Sequence, residues 1–215
     1  MKRLSVLLAM CLSLAPVAFA QDLLVLAAVG SLEEVQAAVS AGADVNEKGP
    51  NGWTALMFAT RDNRNPAVIS LLMKAGARLS DRDAIGHTAF MVAAYHDAAP
   101  EVIALFLAAG AIVNDRDKVG QTPLMLAAAN SQYPEVIVLL AKAGAHLDDR
   151  DASGQTALML AARWNPHPGI ISALLTLGAD GKLESNEGKT AFEYAQDNAE
   201  LKGTDVSLKL KKATY

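Results

Sequence analysis

The chain has 215 residues, of which 52% are hydrophobic and only 5% aromatic, with 19 basic against 23 acidic side chains and a formal net charge of −4. That balance argues against nucleic-acid binding, which needs a basic footprint. The one cysteine, Cys11, leaves no second thiol for a disulfide or a cysteine-based metal site.

Residues 1–20 read differently from the rest. Met1-Lys2-Arg3 is a basic start, and Leu4 to Leu14 is an apolar run too short to span a bilayer comfortably. Ala18-Phe19-Ala20 is a small-x-small cleavage site, so this stretch is expected to be a secretory signal peptide cut after Ala20. A lipoprotein reading through Cys11 fails, because Met10 is a poor residue before a lipidated cysteine. Cleavage removes Cys11, Lys2 and Arg3 and leaves 17 basic against 23 acidic residues, a net charge of −6. No second long apolar run follows. The expectation is a periplasmic or secreted protein with no stable membrane insertion.

Residues 21–48 look like an incomplete first unit. Asp22 to Val29 suits a short helix, and Ser31 and Glu34 stand at capping-box spacing for a second one. Leu32, Val35, Ala38 and Val39 give its apolar side, and Gly42 ends it. From there the chain repeats. Gly52, Gly86, Gly120, Gly154 and Gly188 are each 34 residues apart, and so are Thr54, Thr88, Thr122, Thr156 and Thr190. A second glycine ladder, Gly42, Gly76, Gly110, Gly144 and Gly178, keeps the same step. Ladders in register mean a stacked array, with four full units over 49–82, 83–116, 117–150 and 151–184.

The unit at 117–150 shows what each one wants to be. Thr122-Pro123 starts a helix, with the hydroxyl as cap and the proline where a missing N–H is harmless. Leu124, Leu126, Ala127 and Ala128 make that helix apolar, and the polar Asn130-Ser131-Gln132-Tyr133 ends it. Pro134 opens a second helix with Val136, Ile137, Leu139 and Leu140 on one stripe. Gly144 is its left-handed stop, and a charged, turn-rich excursion leads to the next unit. The second helices repeat the same apolar positions, from Val68, Ile69 and Leu72 to Ile170, Ile171 and Leu174, which only stacking can bury. The end unit, 185–215, starts regularly and then diverges. Val206, Leu208 and Leu210 alternate as in a strand, while their place at the end of the stack favours a capping helix with Lys209, Lys211 and Lys212 near its C-terminal end.

Three stretches carry a family likeness: Gly-x-Thr-Pro-Leu-Met-x-Ala-Ala at 120–128, Pro-Glu-Val-Ile-x-Leu-Leu at 134–140 and Ala-Gly-Ala at 143–145. They resemble the ankyrin repeat. The resemblance implies an all-α solenoid of helix-loop-helix units with projecting hairpin loops. Two features depart from the family. The period is 34 rather than about 33, and the extra residue is assigned to the inter-helix loop before Pro66, Pro100, Pro134 and Pro168, leaving helix lengths unchanged. The usual His after Thr-Pro-Leu is Met57, Met91, Met125 and Met159, with Glu193 in the last unit. The family's Thr–His hydrogen bonding is lost, and a flexible apolar side chain takes the space.

No catalytic set is legible. A Gly-rich phosphate loop, a nucleophile elbow and HExxH are all absent. His87, His96, His146 and His167 match no metal spacing and read as solvent-facing variation. The Asp-Arg-Asp triplets at 81–83, 115–117 and 149–151 read as hairpin charges that meet across adjacent units, worth about 0–1 kcal/mol per exposed pair. The methionines read as core.

Function should lie where the repeats differ, because the shared positions serve the stack. Those positions hold Trp53 and His87 after the turn glycines. They hold Arg61 and Asp62, Tyr95 and His96, Asn130, and Arg163 and Trp164 at the ends of first helices. At the hairpin tips stand Ile85 and Val119. The ankyrin resemblance implies that they line a concave side that holds partners. Trp53, Ile85, Tyr95 and Trp164 are expected to be exposed there, and Trp, Tyr and Arg dominate binding hot spots. The expected function is a non-enzymatic module outside the cytoplasm that needs no cofactor and binds a protein partner. Support of a periplasmic enzyme such as a catalase and immunity to a toxic effector are both open. The alternative is a small-molecule or haem carrier using the concave aromatics with His87 and His96.

Overall fold

The structure, a computed structural model, describes residues 22–215, and the leader expected over residues 1–20 lies outside the described residues. Among the described residues twelve α-helices follow one another in pairs: α1 (Leu23–Val29) and α2 (Leu32–Ser40), α3 (Ala55–Phe58) and α4 (Pro66–Lys74), α5 (Ala89–Tyr95) and α6 (Pro100–Ala108). They continue with α7 (Pro123–Asn130) and α8 (Pro134–Lys142), α9 (Ala157–Trp164) and α10 (Pro168–Leu177), α11 (Ala191–Asp197) and α12 (Asp205–Thr214). The first helices of the pairs pack side by side in one row, and the second helices form a second row against it. This is an all-α array of stacked helix pairs, as the ankyrin resemblance implies.

Local chemistry sets the helix ends. Thr54, Thr88, Thr122 and Thr156 are N-caps whose hydroxyls accept from the N–H of Met57, Met91, Met125 and Met159 at 3.3–3.4 Å. The threonine therefore keeps its capping role where the family's histidine is missing, worth about 1 kcal/mol per helix. In the last unit Glu193 reaches back to Thr190 N–H (2.7 Å) and completes a capping box. That hydrogen bonding holds the Glu193 carboxyl below the usual carboxylate range. Ser31 and Glu34 form the same box on α2. Prolines open α4, α6, α8 and α10. At the end of α8, Gly144 (φ +94) lets Ala145 N–H reach back to Leu140 O and its own N–H to Ala141 O, a Schellman stop.

One local expectation changes. The extra residue of the first full unit does not sit in its inter-helix loop. Instead α3 widens into a π turn, Ala59–Asn63, closed by Arg64 in the left-handed region (φ 57). At the C-terminus the expected capping helix forms, with Lys211 and Lys212 in its last turn, and the alternating pattern is not followed. Val206 and Leu210, four apart, are buried on α12 while Leu208 faces out, which is helical spacing.

The core is thin and continuous. Val68, Ile69 and Leu72, Val102, Ile103 and Phe106, Val136, Ile137 and Leu140, and Ile170, Ile171 and Leu174 are all buried between neighbouring helices. Met57, Met91, Met125 and Met159 are buried with them.

Between pairs the chain makes a hairpin turn organised by an aspartate. Asp83 Oδ1 accepts from Ile85 N–H (3.0 Å) and His87 N–H (2.8 Å). Asp117 does the same for Val119 and Gln121, and Asp151 for Ser153 and Gln155. Successive tips are joined by backbone bonds: Ala84 N–H to Asn51 O (2.7 Å), Lys118 to Ile85 (3.1 Å), Ala152 to Val119 (2.9 Å) and Asn186 to Ser153 (3.0 Å). The charges of the triplets do meet across units, as Arg82 with Asp115 and Arg116 with Asp149 (2.8 Å). They do more than pair, however. Arg82 also donates to Gly86 O (2.7 Å) and to Arg116 O of the next hairpin (2.9 Å), and Arg116 repeats this with Gly120 O and Arg150 O (both 2.8 Å). Each guanidinium thus staples two hairpins through carbonyls, a bond that a charge count misses.

The packing of these hairpins predicts the effect of one substitution. Gly86 has φ +92, and a Cβ there would lie 2.9 Å from Lys118 N in the next hairpin. Gly86→Ala is expected to cost about 1–3 kcal/mol through strain, plus the clash. Gly144→Ala, with open space around it, should cost less. Equal losses in thermal denaturation would mean that the hairpins yield freely.

Candidate functional site

The tips of the first three hairpins and the C-terminal end of α5 enclose a hollow of about 630 Å³. It brings together six residues singled out from the sequence: Trp53, Ile85, His87, Tyr95, His96 and Val119. Ile85 (57% exposed), Val119 (55%) and Tyr95 (45%) present apolar surface to solvent. Trp53, expected to be exposed, is half-buried instead. Its ring lies 5.2 Å from that of Phe58, and the Arg61 guanidinium covers it at 4.4 Å. Arg61 is held there by two bonds to Asp62 (2.7 and 2.9 Å). The paired guanidinium keeps the Asp62 carboxyl below its usual range, and the carboxylate raises Arg61.

His87 is a correction. It does not face solvent but is buried (7% exposed), because Asp83 draws its backbone into the hairpin and Asp117 of the next hairpin meets its ring. Its Nε2 lies 3.3 Å from Asp117 Oδ2, so that nitrogen is already engaged. Tyr95 packs against both imidazoles, 5.9 Å from His87 and edge-on at 4.9 Å from His96. Among the described residues no group of three or more His, Cys, Asp or Glu is placed to hold a metal. The two histidines act as floor and wall of the hollow and not as an open ligand pair.

Burial pushes the His96 imidazole below its ordinary value near 6.5, and the positive charges of Arg61 and Arg64 add to the effect. Asp62 opposes them. Arg61→Gln removes a cation and frees the Asp62 carboxylate, so the His96 titration followed by NMR is expected to move up. The unfolded chain takes up a proton first, so His96 contributes stability at neutral pH that is lost as pH falls through about 6.5 and below.

The remaining three residues singled out lie elsewhere. Asn130 is exposed at the end of α7 and bonds back onto its own helix, Nδ2 to Leu126 O at 2.8 Å. Arg163 and Trp164, at the end of α9, form a second patch. There Arg163 sits 4.8 Å over Trp164 and 5.1 Å over Tyr194, and Trp164 is 61% exposed. The hydroxyl of Tyr194 is buried between Gln155 (3.0 Å) and Ser185 (2.9 Å).

Sequence reasoning missed Phe58 and Asp117. Position 58 recurs as Val92, Leu126, Leu160 and Tyr194, so the two aromatics stood out. Both carry a guanidinium over the ring. Asp117 was legible as the recurring hairpin aspartate. The hollow thus offers an aromatic floor, an aliphatic rim and charges that largely satisfy one another. Such a surface seats an apolar side chain of another protein at small desolvation cost.

A solved structure of the predatory endopeptidase Bd0816 from Bdellovibrio bacteriovorus, in complex with the immunity protein Bd3460, contains a chain like this one. The match to the immunity protein has a TM-score of 0.76 at 28% identity and covers 89% of this chain and 97% of that one. No curated protein sequence matches significantly. No helix of the described residues is long and apolar enough to cross a membrane. A family model of three ankyrin repeats matches residues 23–117, 66–151, 90–185 and 124–205 in overlapping registers. With that match running through almost the whole described chain, the protein belongs to the ankyrin-repeat family.

Proposed function

We propose that this chain is an exported, non-catalytic immunity protein that binds and silences an endopeptidase or a similar toxic hydrolase. Ankyrin repeats mediate protein binding, and the observation that carries the reading is the hollow. It gathers Trp53, Ile85, Tyr95 and Val119 from three successive repeats onto one surface. The likeness to an immunity protein found in complex with an endopeptidase, over nearly the full length of both chains, supports this class of partner over enzyme support. Export rests on the basic start, the apolar run and the Ala18-Phe19-Ala20 site.

The test is capture from a periplasmic extract of the producing cell, followed by an assay of what is captured. The expected result is a hydrolase whose activity falls to background at one equivalent of this chain, together with self-damage in cells lacking it. Capture of an enzyme whose activity is unchanged or raised, such as a catalase, sinks the immunity reading.

A further inference from the structure

Neighbouring helix pairs in this array are tied by side chains that cross between loops, not by packing alone. On the side of the second helices, Asn46 donates to Gly76 O (3.1 Å) and accepts from Arg78 N–H (2.8 Å). Asn114 does the same with Gly144 O (2.9 Å) and His146 N–H (3.0 Å). Asp148 accepts from Asp180 N–H (2.9 Å), and Thr214 reaches Gly181 O (3.1 Å). Equivalent ties run along the loops after the first helices. Asn63 donates to Gly30 O (2.8 Å), and Ser131 and Gln132 both bond Asp97. Asn165 bonds Ala128 O and Ser131 O, and Asn198 bonds Ala162 O and Asn165 O.

Among the described residues, one joint has neither tie: that between the α3/α4 and α5/α6 pairs. Each gap has a chemical cause. The first tie would have to come from Ser80, 34 residues from both Asn46 and Asn114. Its hydroxyl is one bond shorter than the Asn46, Asn114 and Asp148 side chains that make the tie, and it does not span to Gly110 and Ile112. A small hollow of about 210 Å³ lies at that place, lined by Ser80, Thr88, Gly110 and Ile112. The second tie would have to come from Asp97, an acceptor-only carboxylate. Both its oxygens face forward onto Ser131 and Gln132. The hairpin staple is thinner here too. Lys48 meets Asp81 (3.0 Å), whereas Arg82, Arg116 and Arg150 each grip a carbonyl of the following hairpin.

We propose that this joint is a hinge, and that the array moves as two blocks, α1–α4 and α5–α12, which open there before any other joint does. In a stacked array each unit touches only its neighbours, so local opening follows the weakest interface. The large hollow straddles the joint, with Trp53 on one block and His87, Tyr95 and Val119 on the other. Hinge motion therefore changes its width. That consequence rests on reading the hollow as the binding site; the hinge itself does not.

Hydrogen–deuterium exchange of the purified chain, without any partner, tests the hinge. Amides of α3 to α5 are expected to exchange at least about tenfold faster than those of α7 to α9. Ser80→Asn supplies the missing amide and should slow α3 to α5 by roughly three- to tenfold, the equivalent of one or two net hydrogen bonds. Asn114→Ser should create a second soft joint between α5/α6 and α7/α8. Equal protection of α3–α5 and α7–α9, or unchanged exchange in Ser80→Asn while Asn114→Ser loosens its own joint, overturns the hinge. Neither result touches the binding reading, since no partner is present.

Discussion

Leu140→Ala is expected to destabilise the chain by about 2–5 kcal/mol, because truncation of a buried leucine loses transfer free energy and leaves a cavity. Leu140 is fully buried on α8, a helix packed between α6 and α10. A stacked array has no second layer of core to collapse into the gap, so relaxation should be limited and the loss should fall toward the upper part of that range. Leu139, only half-buried on the same helix, serves as the control, and Leu139→Ala should cost distinctly less. Denaturant midpoints at constant slope measure both. If the two variants unfold together with the parent, the two-row packing is wrong.

Ile85→Asp is expected to weaken partner binding by thirtyfold or more, about 2 kcal/mol on the scale of a hot-spot residue, while leaving the melting temperature nearly unchanged. Ile85 stands at a hairpin tip with more than half of its surface in water, so the folded chain gives up little by exchanging it. In the complex the same position would place an unpaired carboxylate against apolar surface. Tyr95→Ala should act in the same direction by removing the ring that packs on His87 and His96. Trp164→Ala, two repeats further along, should weaken capture as well if the partner spans both patches. Calorimetric titration against the captured partner, paired with thermal melts, separates the two effects. Full affinity in Ile85→Asp would remove the hollow from the interface.

Much of the architecture was readable because it repeats. Thr122 and its counterparts at 54, 88, 156 and 190 announce a capped helix each time, and Gly144 and its counterparts a stop. A helix end needs only a local hydrogen bond, so it is written in adjacent residues. The same holds for the stripe of Val136, Ile137 and Leu140, whose spacing names the buried face before any partner is known. The candidate site was legible in part. Ile85, Tyr95 and Val119 stood out as departures from the repeat, and they do converge on one hollow.

Other features depend on residues about 34 positions apart in sequence. His87 looked free until Asp117 of the following hairpin closed on it. Trp53 looked exposed until the π turn at Ala59–Asn63 carried Arg61 over its ring. The arginine staples and the tip-to-tip ladder involve carbonyls, and no side-chain pattern reports where a carbonyl points. Sequence alone therefore determined the repeating helix pair, its caps and its buried stripe, since each is set by contacts within a few residues. Only the stacked structure decided which variable residues share a surface and which joint lacks its ties, because burial and hydrogen bonding across units depend on how one unit meets the next.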